Sequence, residues 1–144
     1  MICVVDASLA AKWILREMDS PAALALLADE RRRFAAPDLI FVEVGGACVR
    51  RANMDKAVQA DAIHALDEWT KIWSDQTIAG YPVTPNRLLD GADLAVRLGT
   101  PLKDCLYLAL AEELECDLLT CDVRFRDKAL GVSARVKLLS EISA

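Results

Sequence analysis

Apolar and polar positions alternate between two periods along the chain. Residues 1–5 form a short β-rich apolar run that stops at Asp6-Ala7-Ser8, the pattern of a buried strand. A helical pattern follows, with Leu9, Trp13 and Ile14 on one side and Lys12 and Arg16 on the other. Ser20-Pro21 predicts a helix start with Ser20 as the cap, and that helix is expected to end in Arg31-Arg32-Arg33, cations suited to the negative end of its dipole. Phe34-Ala35-Ala36 reads as a strand stopped by Pro37. Residues 38–51 read as a helix striped by Leu39, Val42, Gly46 and Val49. Asp55 is expected to cap a long helix carrying Val58, Ala62, Leu66, Trp69 and Trp73 at spacings of three and four.

The second half repeats the alternation. Residues 78–83 are a weak strand, and Asn86 is the expected cap of a helix running to Leu98, with Gly99 just past its end. Residues 103–115 form a helix burying Leu106, Tyr107, Leu110, Ala111 and Leu114. A strand at 117–121 ends in Asp122, a helical turn spans 125–130, and a last strand spans 135–139. Strands alternating with helices predict a single α/β domain over residues 1–144, with a parallel sheet flanked by helices. In such sheets ligands bind outside the carboxyl ends of the strands, so residues at those ends carry the functional question.

Composition sharpens this picture. The chain has 144 residues, 54% hydrophobic, with a mean hydropathy of +0.24, enough apolar surface for one packed core and far from a disordered tail. Seventeen Lys and Arg against 22 Asp and Glu give a net charge of −5, which excludes a protein that coats nucleic acid through a broad basic face. The five cysteines, Cys3, Cys48, Cys105, Cys116 and Cys121, contain no C-x-x-C pair and read as reduced, buried small hydrophobes. The first residues lack a basic leader region, and Glu43 breaks the longest apolar run. A cytoplasmic protein with no membrane association is therefore expected.

Asp6 and Asp122 each follow a strand, and both fall at one edge if the sheet is parallel. Asp104 lies in the first turn of the helix feeding the later strand, and Glu43 interrupts Leu39-Ile40-Phe41-Val42-Glu43-Val44. Each has an ordinary structural reading: Asp6 as a helix cap with Ser8, Asp104 at a helix N-terminus, Asp122 in a turn, Glu43 paired with Lys12 or an arginine. Together at one edge they repel and need a counter-ion. Hard oxygen ligands without histidine favour Mg²⁺, with Mn²⁺ as the alternative. Such an ion activates water and neutralises a phosphodiester. Setting the four acids aside leaves 18 acidic residues against 17 basic ones, so the net acidity is largely this cluster. Ser8 and Thr120 flank it; Thr120 reads as strand packing. His64, the lone histidine, falls on the polar side of its helix, which removes Ser/His and Cys/His hydrolysis.

These residues resemble a family. Val4-Val5-Asp6-Ala7-Ser8 through Trp13 is similar to the opening motif of PIN-domain proteins, and Ala36-Pro37-Asp38-Leu39 with Val42-Glu43-Val44 to their second. Leu102-Lys103-Asp104-Cys105-Leu106-Tyr107 through Ala111 resembles the third, and Leu118-Leu119-Thr120-Cys121-Asp122 the fourth. In size the chain resembles the VapC-type toxins of toxin–antitoxin pairs. The resemblance implies a Mg²⁺- or Mn²⁺-dependent endoribonuclease, with about five strands in the order 3-2-1-4-5. It places Asp6, Glu43, Asp104 and Asp122 in a metal site with Ser8 beside them. It also implies a homodimer and an antitoxin partner that covers the acidic groove. Candidate contacts to the RNA substrate are Lys12, Arg50, Arg51, Arg124 and Arg126, with Arg50 about 10 Å along the helix from Glu43.

One departure is Gly46, where relatives often carry a small polar residue three positions after the glutamate; Gly45-Gly46 in mid-helix suggests close helix packing. Two other readings remain open. One is a non-catalytic PIN-like module that binds RNA or protein. The other is a phospho-acceptor signalling domain, which would want an acid pair after the first strand.

Overall fold

A computed structural model describes residues 1–142. The chain runs β1 (Ile2–Val5), α1 (Ala7–Ala10), α2 (Ser20–Leu27), β2 (Arg33–Pro37), α3 (Ile40–Met54), α4 (Gln59–Ser74), β3 (Ile78–Tyr81) and α5 (Pro85–Leu98). It continues with α6 (Leu102–Leu114), β4 (Asp117–Thr120), α7 (Val123–Ala129), β5 (Val136–Leu138) and α8 (Leu139–Ile142). Short 3-10 turns at Ala11–Trp13 and Lys56–Val58 extend α1 and lead into α4. The five strands form one sheet in the order β3-β2-β1-β4-β5, and every pairing is parallel, as expected.

The order makes β1 central. Cys3, Val4 and Val5 are all but sealed from solvent, as are Leu118 and Leu119 of β4 beside them. A strand covered on both faces reads as a continuous apolar run, which is what these segments show. The register pairs Val5 with Leu119, so Asp6 and the end of β4 emerge side by side at the carboxyl edge. Helix α6 packs against β1, β2 and β4, while α3 lies along α4 and α5 along α6. Trp69 of α4 is fully buried and its indole N–H donates to the Phe41 carbonyl at 3.0 Å, tying α4 to the start of α3.

Several local expectations need correction. Helix α2 ends at Leu27, so the arginine run lies beyond it. Asp29 explains this: its carboxylate accepts from the Arg31 backbone N–H and from the Arg31 guanidinium, closing a turn where the helix would otherwise continue. Ser20 does not cap the helix. Its hydroxyl donates to the Leu15 carbonyl and accepts from the Glu17 N–H, bracing the preceding loop. Thr84 rather than Asn86 caps α5, accepting from the Arg87 N–H with Pro85 in the first turn. Asp55 caps the 3-10 turn that precedes α4, through the Ala57 N–H. Helix α3 starts at Ile40 and reaches Met54, and the short α8 after β5 had no signal in the pattern.

The glycines also divide differently from expectation. A methyl group at Gly45 would meet Leu66 at 3.6 Å and one at Gly46 would meet Arg50 at 3.5 Å, both ordinary contacts. Close approach occurs instead at Gly80, where an added methyl would fall 2.6 Å from the Trp73 ring. Gly80→Ala should therefore cost ~1–3 kcal/mol through overpacking. Gly46→Ala should gain ~0.5–1 kcal/mol from helix propensity. Urea unfolding of the two variants measures both, and the opposite signs distinguish them.

Candidate active site

The sheet edge gathers acids from four elements. Asp6 follows β1, Asp122 follows β4, Glu43 projects from the first turn of α3 and Asp104 from the first turn of α6. All four line one cleft of about 500 Å³, together with Ser8, Lys12, Glu17, Arg50, Lys103, Tyr107 and Cys121.

Asp6 and Asp122 are helix caps as well as site acids. Asp6 Oδ1 accepts from the Leu9 N–H at 3.1 Å, and Asp122 Oδ1 accepts from the Phe125 N–H at 3.0 Å. Capping needs one oxygen and fixes the carboxylate's orientation, so the ordinary reading of these residues and the site reading coexist. Two hydroxyls complete the hold on Asp6. Ser8 Oγ donates to Oδ1 at 2.7 Å, and Thr120 Oγ1 donates to Oδ2. Each hydroxyl also accepts from the neighbouring strand end: Ser8 from the Cys121 N–H at 3.1 Å, Thr120 from the Asp122 N–H at 3.0 Å. Thr120, fully buried, thus links the two strand-end acids directly.

Glu43 meets a different pair. The Tyr107 hydroxyl donates to Glu43 Oε1 at 2.7 Å, and Lys103 Nζ lies 3.6 Å from Oε2. The partner expected from Lys12 or an arginine is therefore supplied by α6. Lys12 instead binds Glu17 at 2.6 Å and Asp19 at 2.8 Å.

The electrostatics show a site short of positive charge. Burial pushes the Asp6 carboxyl up to about 6, against the hydrogen bonds from Thr120, Ser8 and Leu9, and Asp104 pushes it further. Asp104 is also raised, by burial first and then by Asp122; Lys103 opposes this and Glu43 adds to it. Burial beside Glu43 holds the Tyr107 hydroxyl well above its ordinary range, so it stays a donor. The Cys121 thiol is pushed up to about 12 by burial, so in the metal-free protein it stays protonated and is no nucleophile. His64 is exposed and pairs with Glu68 on α4, away from the cleft.

The proposed RNA contacts separate into two groups. Arg50 and Lys12 line the cleft. Arg51 binds Glu17 at 2.9 Å and faces a separate groove with His64 and Glu68, and Arg126 pairs with Asp127 and Glu141. Arg124, exposed on α7, is not among the cleft residues.

A family model described as PIN domain matches residues 3–130, a span that contains all four acids. The chain belongs to the PIN-domain family. Ribonuclease VapC9 of Mycobacterium tuberculosis is 32% identical over 126 residues, covering 86% of this chain and 88% of its own. Among solved structures, PAE2754 from Pyrobaculum aerophilum has the same fold, with a TM-score of 0.70 at 21% identity over 99% of this chain and 93% of its own. A toxin–antitoxin complex from Klebsiella pneumoniae contains a chain with a TM-score of 0.66 at 16% identity, covering 97% of this chain and 99% of that one.

In this PIN domain the sequence pattern assigns no site role to three polar residues that line the cleft, Glu17, Lys103 and Tyr107, nor to Thr120 buried beneath it. Thr120 reads as strand packing in the sequence, although a threonine two residues before a strand-end acid is a usable signal. Tyr107 reads as core in the sequence, although its spacing of three from Asp104 puts both on one helix face. Lys103 adjoins Asp104 and had no assigned role.

A testable consequence concerns pH. An acid that binds its proton more tightly folded than unfolded removes stability as it ionises. In metal-free buffer the melting temperature should rise as the pH falls from about 7 to about 5, through the raised Asp6 value. Asp6→Asn should show a smaller rise. Calorimetry across that range measures both.

Proposed function

We propose that this PIN domain is a Mg²⁺- or Mn²⁺-dependent endoribonuclease, the toxin of a VapBC-type toxin–antitoxin pair. The observation that carries this reading is the convergence of Asp6, Glu43, Asp104 and Asp122 from four elements on one cleft at the sheet's carboxyl edge. The relatives' designation as ribonucleases supports it, as does the fold shared with a chain of a toxin–antitoxin complex.

The donor set fits a hard divalent cation. Carboxylates and hydroxyls are the available ligands, no histidine lines the cleft, and its one cysteine is held as a thiol. The raised values of Asp6 and Asp104 mark negative charge that a cation would neutralise. Among the described residues no three such side chains stand as a ready-made cage, so the acids line the cleft walls around the space an ion would enter. Asp6 and Asp104 are the principal ligands in this reading, with Glu43 and Asp122 completing the set. When bound, the ion supplies Lewis-acid stabilisation of the phosphodiester and activation of water.

The chain's own residues do the rest. Ser8 and Thr120 keep Asp6 from rotating, so its carboxylate stays fixed at the cleft where a cation would be held. Arg50, on α3 beside the acids, receives a backbone phosphate next to the one cleaved, and Lys12 lies on the same cleft wall. Arg51, Arg124 and Arg126 would reach RNA only outside the cleft. The acidic opening suits an antitoxin that inserts a basic side chain, and the active form is a homodimer in the cytoplasm. Among the described residues no helix is long and apolar enough to cross a membrane.

The purified protein should cleave RNA with Mg²⁺ or Mn²⁺ and stop in EDTA. Asp6→Asn or Asp104→Asn should lower cleavage by more than ~100-fold, the upper range for disturbing even a partner of a metal ligand. Gel assays of labelled RNA measure this, with circular dichroism as the folding control. Full cleavage by the double variant in EDTA would contradict the proposal.

A further inference from the structure

We infer that Tyr107 is a positioning residue for the metal site, acting through Glu43; the inference rests on the reading of Glu43 as a metal ligand. The Glu43 carboxylate is held by side chains rather than by a backbone N–H. Asp6 and Asp122 are fixed by helix caps and strand-end hydroxyls, whereas Glu43 sits within α3 on a longer side chain with an extra rotatable bond. What fixes it comes from across the cleft. Tyr107 Oη donates to Oε1 at 2.7 Å, a short charge-assisted contact between residues 64 apart in sequence.

The tyrosine is well suited to this. It is 2% exposed, its ring packs in the hydrophobic core, and it shares α6 with Asp104 three residues earlier. It lines the cleft, where its hydroxyl meets Glu43. A ring with two side-chain torsions, locked in the core, delivers its donor at a nearly fixed point. Glu43 Oε1 is therefore committed to Tyr107. Oε2 is left for the cleft, where Lys103, mostly exposed and mobile by its chemistry, is the group that faces it at 3.6 Å. A merely structural tyrosine in this position would satisfy its hydroxyl equally well on a backbone carbonyl; this one spends it on a site carboxylate.

The test is Mn²⁺ binding by isothermal titration calorimetry to the full-length protein, using wild type, Tyr107→Phe, Glu43→Gln and the double variant. Tyr107→Phe keeps the buried ring, and its melting curve and circular dichroism confirm the fold. The expected result is Mn²⁺ affinity weakened about 10–100-fold in Tyr107→Phe. The double variant should bind no more weakly than Glu43→Gln alone, because the tyrosine acts through the glutamate. Cleavage by Tyr107→Phe should recover at high Mn²⁺, whereas cleavage by Glu43→Gln should not. Weakened binding in Glu43→Gln with wild-type binding in Tyr107→Phe overturns the inference and leaves the metal-site reading standing. Wild-type binding in both overturns that reading and the inference with it.

Discussion

Carboxylates that repel one another must be held together at the edge of a buried sheet, and this constraint shapes the rest of the molecule. Asp6 and Asp104 are each raised by burial and by each other or by Asp122, so the folded chain carries an electrostatic load at neutral pH. What holds that load is the sealed interior beneath it. Val4, Val5, Leu118 and Leu119 are sealed in the core, and their parallel register brings the two strand ends alongside each other. Leaving the strands unpaired would cost far more than the repulsion at their tips, so the core sets where the acids stand. The hydroxyls of Ser8 and Thr120 then decide how Asp6 is oriented.

The site is thereby built in two ways. On the strand side, backbone N–H groups and short hydroxyl side chains fix Asp6 and Asp122 within a few residues of the sheet. On the helix side, Glu43 is fixed by another helix through Tyr107, and Asp104 rides on α6 beside the lysine that answers Glu43. The chain's acidity belongs to this arrangement. Outside the four acids the basic and acidic residues nearly balance, and many of the cations are already paired with neighbouring acids, as Arg51 is with Glu17 and Arg87 with Glu113.

Much of this was legible in the chain because the strands announce themselves. Apolar runs ending at Asp6 and Asp122 locate two site acids from period and punctuation alone, and Glu43 stands out as the charge inside an apolar stretch. Asp104 joins them from its place in the first turn of the helix feeding the later strand, whereas the strand order came from the family resemblance, since no local pattern fixes which strand lies beside which. The remainder depended on contacts between distant residues. Thr120 lies 114 residues from Asp6 and Tyr107 lies 64 from Glu43, and a threonine in a strand or a tyrosine on an apolar helix face is ordinary until the partner is seen. The misplaced helix ends have a similar cause. Asp29, Thr84 and Ser20 all carry oxygens that satisfy nearby backbone groups, and which one wins is settled by the turn the chain takes.

Whether this cleft holds a divalent cation can be read from anomalous X-ray scattering of crystals grown with Mn²⁺. The expected result is a Mn²⁺ peak within the cleft, liganded by carboxylate oxygens of Asp6 and Asp104. An ordered cleft with no anomalous peak at saturating Mn²⁺, or a peak bound elsewhere with these acids unligated, would contradict it.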